Sequence, residues 1–276
     1  MRVVTLVDSN CEFGFFEKEA IRLNRDSCFR NITPEESLKY KFDTIIISDM
    51  HLDLIDKINA DTKILWLMEP PVISEHIYHY AVNYQDQYSF AFTYIKDFVN
   101  QFPEKFIYYP WGTSMINFED HAIHNKTKNV SMIVSDKRFA SGHKLRHEII
   151  DGWEHKMDGI KRCETYADIE YKFKWLKDYR YSFAIENSSI DGYFSEKLID
   201  CFMTGTIPIY WGDRGVVDIF NSEGIIMFND LDDVENVLEK ATKDFYDSKL
   251  DIIKENYDTA KKYLYPWDYI FDTGAI

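Results

Sequence analysis

Long apolar runs are missing from this chain, and no stretch approaches the roughly 18 to 20 residues that a membrane-spanning helix needs. An integral membrane segment is therefore not expected. The opening Arg2-Val3-Val4-Thr5-Leu6-Val7 is too short for the apolar part of a signal peptide and runs straight into Asp8-Ser9-Asn10, so it reads as a first strand. Cysteine is sparse: Cys11, Cys28, Cys163 and Cys201 stand far apart with no Cys-x-x-Cys pair. That spacing argues against a zinc site and against a disulfide framework, and it suits a reducing cytoplasm. Basic charge is in deficit, 32 Lys and Arg against 47 Asp and Glu, and the net charge of -15 opposes binding to nucleic acid or to an anionic membrane surface. An anionic ligand would have to be met by a local basic exception.

Hydrophobic residues make up 45% of the 276 positions and aromatic ones 16%, enough to bury one large core or two modest ones. Short apolar runs alternate with longer amphipathic ones, the pattern of βα units around parallel sheets. Strands are expected at Val3 to Val7, Thr44 to Ser48, Lys63 to Leu67, Phe90 to Thr93 and Phe106 to Tyr109. A second series follows Pro110-Trp111-Gly112-Thr113 and the polar stretch Asn117 to Asn129, with strands at Val130 to Ser135, Ser182 to Ile185, Ile207 to Trp211 and Ile225 to Phe228. Helices are expected from about 142, 168, 195 and 231, and a long one from Thr242 to Leu264 before Pro266. With no repeat, low-complexity tract or Gly/Ser linker, the chain divides by its Pro, Gly and polar clustering into an α/β lobe over 1–117 and another over 118–265. An aromatic tail, 266–276, is expected to pack across both.

The richest segment runs from Tyr181 to Asp200 and reads as a buried strand, a polar loop and a helix whose first turn carries Glu196 and Lys197. Ser195 suits the N-cap. Phe194, Leu198, Cys201 and Phe202 make the buried stripe, and Gly205 the stop. A helix start offers free N–H groups and positive potential, and a lysine there adds a full charge, which serves a diphosphate; Glu196 can accept from a ribose diol. On its own, Ser-Glu-Lys is more often a plain cap.

The order Phe183, Glu186-Asn187-Ser188, Tyr193-Phe194-Ser195-Glu196-Lys197 and Gly205-Thr206-Ile207-Pro208 resembles the hallmark of the alpha-1,3-fucosyltransferases, glycosyltransferase family ten. It departs at Ile185, where the family has an aromatic, and at Ser195, where it has threonine. The resemblance implies two Rossmann-like lobes facing a cleft, the GT-B type, and an inverting transfer of a sugar, fucose from GDP-fucose, to a hydroxyl of a carbohydrate acceptor. It implies donor contacts from Asn187, Tyr193, Glu196 and Lys197, with Glu186 as part of the motif. A weaker similarity covers Ile133-Val134-Ser135-Asp136 and the acid-free basic run from Lys137 to His147, adding Ser135 and either Lys144 or Arg146 as donor residues. Arg146 is preferred because guanidinium grips phosphate bidentately. Finally, Glu69 ends an aromatic strand ahead of Pro70-Pro71, where the family carries its general base. Because base and donor groups come from opposite halves of the chain, the lobes are expected to close on the donor.

No cofactor and no metal are expected. The competing reading, a metal-dependent glycosyltransferase holding a divalent cation at Asp230-Leu231-Asp232, meets a simpler account in acidic capping of the helix that Val234, Val237 and Leu238 announce. A binding protein of the same fold without turnover is the other alternative, and the 19 Tyr and 6 Trp would suit it, though aromatics at this density more often pack cores.

Overall fold

The computed structural model describes residues 2–7, 27–110, 112–163, 172–264 and 274. The chain separates after Trp111 into two compact units, and the second runs from Gly112 to Leu264.

In the first unit six strands form one sheet: β1 (Arg2–Val7), β2 (Ser27–Ile32), β3 (Lys41–Ser48), β4 (Asn59–Trp66), β5 (Phe90–Thr93) and β6 (Phe106–Tyr108). Their order is β2-β1-β3-β4-β5-β6 and every pairing is parallel. Ile45, Ile46 and Ile47 are all wholly buried, as expected of a central parallel strand covered on both faces. The helices are a short α1 (Pro34–Ser37), α2 (Pro71–Asn83) and α3 (Lys96–Gln101).

The second unit carries β7 (Lys128–Ser135), β8 (Gly159–Cys163), β9 (Tyr179–Ile185), β10 (Ile207–Trp211) and β11 (Ile226–Met227), again all parallel, in the order β11-β10-β9-β7-β8. The chain leaves β7 for β8 on one side and then returns to β9 on the other. Such a reversal opens a crevice at the carboxyl ends of β7 and β9, where α/β sheets bind ligands. The helices are α4 (Ser141–Trp153), α5 (Glu196–Met203), α6 (Val234–Lys240), α7 (Lys243–Asp247) and α8 (Leu250–Ala260).

The expectation of two α/β lobes with parallel sheets is met. Two strands escaped the sequence reading, β2 and β8, and both lie at sheet edges. An edge strand needs less apolar surface, and Ser-Cys-Phe-Arg-Asn-Ile and Gly-Ile-Lys-Arg-Cys offer no continuous apolar run. The single long helix from Thr242 is broken in two: Ser248 turns its hydroxyl onto the Phe245 carbonyl at 2.7 Å, and the next helix begins at Leu250. The helix expected from about 168 appears, within the described residues, only as a single turn at Lys172–Trp175. The aromatic tail lies outside the described residues apart from Gly274. No helix among the described residues is long and apolar enough to cross a membrane.

Candidate functional site

The expected helix start is formed by α5. Ser195 is its N-cap and accepts from the Lys197 N–H at 3.3 Å, while Gly205 ends the helix region at φ 71°, a left-handed conformation that glycine adopts without strain. Phe194, Leu198, Cys201 and Phe202 are buried as the spacing predicts. So is every residue of the helix except Lys197, whose side chain is 23% exposed.

Beneath the helix start lies Glu186, wholly buried at the exit of β9. Its Oε1 accepts from the Ser195 N–H at 2.9 Å and its Oε2 from the Ser195 hydroxyl at 2.6 Å. The Lys197 ammonium stands 3.7 Å from the same Oε2, 3.1 Å from Glu196 Oε1 and 3.1 Å from the Ser195 hydroxyl oxygen. Burial pushes the Glu186 carboxyl up, against the pull of Lys197. For Glu196 the balance reverses: burial would raise it, but Lys197 and Lys172 outweigh burial and hold it down to about 2. Burial would lower Lys197, yet Glu196 and Glu186 keep it above the ordinary lysine value. The result is a cation that stays charged and alone reaches the surface.

From the other side, α4 closes on the same loop. The Gly142 N–H donates to the Asn187 carbonyl at 3.1 Å, and a Cβ at residue 142 would fall 1.7 Å from the Glu186 carbonyl oxygen, so only glycine permits this approach. One turn on, the buried Arg146 donates to the Ile185 carbonyl and, at 3.3 Å, to Asn187 Oδ1. Lys144, two residues earlier and therefore on the opposite side of the helix, is exposed. Ser135 closes β7, half-buried, at the same sheet edge as Asn187, and Tyr193 is buried in the loop before α5. That loop is tied down by Asp213, whose carboxylate accepts from the N–H groups of Gly192 and Gly215 at 2.9 and 2.8 Å.

Two residues that sequence reasoning passed over complete the cluster. Asp200, wholly buried one turn after Glu196, accepts from the Ser114 hydroxyl at 2.7 Å and the Met115 N–H at 2.8 Å. Lys172, on the turn before β9, places its ammonium 2.6 Å from Asp200 Oδ2. The available sign was an acid between Ile199 and Cys201, within the apolar stretch of the helix.

Glu69 belongs to the first unit, three residues beyond β4, and is half-buried. Its backbone is clamped: Asp49, buried beyond β3, accepts from the N–H groups of Met68 and Glu69 at 3.1 and 2.7 Å, and the Tyr78 hydroxyl donates to the Glu69 carbonyl at 2.5 Å. Pro70 and Pro71 then start α2 as N-cap and first residue. Burial pushes Asp49 up despite these donors.

Asp230 accepts from the Asp232 N–H at 3.0 Å, the capping role expected of it. Among the described residues no group of three or more His, Cys, Asp or Glu side chains is arranged to hold a metal ion.

Residues 123–258 match the family described as glycosyltransferase family 10 (fucosyltransferase), C-terminal part. Over 91 residues the chain is 30% identical to the alpha-(1,3)-fucosyltransferase of Helicobacter pylori, a stretch that covers 32% of this chain and 19% of that protein. Among solved structures, an alpha1,3-fucosyltransferase with GDP aligns with a TM-score of 0.60 at 15% identity, over 98% of this chain and 90% of that one. An alpha-glucosyltransferase in complex with UDP aligns at 0.59 and 11% identity, over 99% of each chain. At these identities the likeness concerns the fold.

Proposed function

We propose that the chain is a member of glycosyltransferase family 10, on the match over residues 123–258, and that it transfers fucose from GDP-fucose to a hydroxyl of a carbohydrate acceptor with inversion at the anomeric carbon. The observation that carries the reading is the buried cluster at the end of β9, in which Glu186, Ser195 and Glu196 hold a single partly exposed ammonium, Lys197, at a helix start. Lys197 and Arg146 take the diphosphate, Asn187 and Glu196 the nucleoside, with Tyr193 and Ser135 beside them. Glu186, having no exposed surface, supports these contacts from below. Lys144 is left as a solvent-facing charge.

In the reaction, Glu69 removes the proton of the acceptor hydroxyl as that oxygen bonds to the anomeric carbon. The bond from that carbon to the β-phosphate oxygen breaks, and GDP leaves with the electron pair, its charge met by Lys197 and Arg146. Base catalysis supplies about 10²- to 10⁴-fold and preorganised charge about 10²- to 10³-fold, so neither metal nor cofactor is required of the scheme. The buried free thiols Cys163 and Cys201 fit a cytoplasmic setting.

The test is GDP release from GDP-fucose in the presence of a panel of glycan acceptors, with and without EDTA. Acceptor-dependent release that survives EDTA is expected; loss of turnover with the chelator returns the metal-dependent alternative, and binding without release the non-catalytic one. In the same assay Glu69→Gln is expected to lower turnover by about two orders of magnitude or more while GDP affinity barely moves. Weakened GDP binding with little loss of rate would put this side chain in the donor pocket instead.

A further inference from the structure

We propose that the buried pair Lys172 and Asp200 is a positioning device for the donor site, fixing Glu196 so that the Lys197 charge remains available to a nucleoside diphosphate; the inference rests on the donor reading above. Asp200 is anchored by Ser114 and the Met115 N–H, and it stands one helical turn from Glu196, so both carboxylates lie on one face of α5. Lys172 bridges them, 2.6 Å from Asp200 and 3.8 Å from Glu196 Oε1. That same Oε1 is the atom Lys197 contacts at 3.1 Å. Glu196 is thus shared between two ammonium groups, one fixed in the interior and one near the surface.

Stability alone does not explain this arrangement, because desolvating an ion pair costs about as much as the pair returns and an apolar replacement serves as well or better. What apolar side chains cannot do is balance charge. The cluster holds Glu186, Glu196 and Asp200 against Lys172, Lys197 and Arg146, three charges of each sign. Without Lys172 the excess is negative, Glu196 turns wholly to Lys197, and the pair presents little positive potential to a phosphate. The groups acting on Glu196 are Lys172 from the turn before β9, Glu186 from the end of β9, and Lys197 and Asp200 from α5 itself; Arg146 and His143 of α4 act on Lys197. With Lys172 gone, Lys197 and the Ser195 hydroxyl are left to oppose the upward push of burial on the Glu196 carboxyl.

The experiment is calorimetric titration with GDP-fucose, whose phosphates do not titrate in the range used, from about pH 5 to about pH 8. Lys172→Met is compared with the charge-neutral pair Lys172→Met/Asp200→Asn, which keeps an acceptor for Ser114 and Met115 and so protects the fold. Circular dichroism and thermal melts identify folded protein. Wild type is expected to bind with a flat pH profile. Lys172→Met is expected to bind about tenfold or more weakly at neutral pH and to recover affinity toward pH 5, as the proton that Glu196 takes up releases Lys197; the double variant, in which the charges of the cluster balance again, is expected to bind more tightly than Lys172→Met at neutral pH. Wild-type affinity in folded Lys172→Met overturns the inference, and so does a flat profile for its weakened binding or an equal weakening of the two variants, either of which marks a purely structural pair. If wild type itself does not bind GDP-fucose, the donor reading falls first and is seen to do so.

Discussion

Lys197 pairs with two carboxylates below it and, in the proposed function, with a ligand at the surface, so its removal is expected to be felt on both sides. In Lys197→Ala the buried Glu186 and Glu196 lose their shared counter-ion. Breaking a buried pair in this way costs about 3–5 kcal/mol, and less here because the ammonium is partly solvated. Denaturant unfolding is expected to show a loss of about 2 kcal/mol or more, alongside a loss of GDP affinity in calorimetry. Wild-type stability would mean the carboxylates protonate without consequence. Gly142 offers a sharper contrast. Gly142→Ala drives a methyl group against the Glu186 carbonyl and is expected to cost about 1–3 kcal/mol and to weaken GDP binding. Gly152→Ala in the same helix meets nothing within 4 Å and is expected to be neutral or slightly stabilising. Equal melting temperatures for the two variants would refute the close approach. Neither Gly142 nor Asp200 was visible as a site residue in the sequence, because their importance lies in what the fold brings against them.

Helix α5 was the best-read element of the chain. Its N-cap, buried stripe and glycine stop all follow from spacing, since each is a local property of one turn. The cap also does something no local rule announces, which is to hold Glu186 with both its N–H and its hydroxyl. Ser195→Ala is therefore expected to cost about 1–2 kcal/mol for the cap and more for the donor withdrawn from a buried carboxylate, whereas Ser195→Thr keeps both. Chemical denaturation of the two variants checks this, and equal losses would contradict it. Elements that the sequence misread have equally physical causes. Strands β2 and β8 are edges with mixed composition, and the break at Ser248 depends on a hydroxyl that turns back to its own helix.

Each unit has its own sheet and its own buried core, Ile45, Ile47 and Leu65 in the first and Met132, Phe183 and Ile209 in the second. The residues proposed to bind the donor all belong to the second. A nucleotide at 100 times its dissociation constant adds about 2.7 kcal/mol to the species that binds it. Hydrogen exchange with saturating GDP is thus expected to slow at 141–146 and 186–197 and to leave β3 and β4 unchanged. Protection confined to β3 and β4 would move the nucleotide to the first unit and reverse the assignment of tasks.

The amino-acid order alone carried the α/β class, the helix start at Ser195-Glu196-Lys197 and the family resemblance, because periodicity, capping and short motifs are written within a few consecutive residues. It did not distinguish Lys144 from Arg146, and it was silent on Lys172, Asp200 and Asp49. Their placement comes from the folded chain: rotation along α4 buries Arg146 against Asn187 and turns Lys144 to solvent, and Lys172 meets Asp200 across 28 positions of sequence. Charge pairing of that kind depends on distance and burial, and neither quantity exists until the strands are in register and the interior is closed to water.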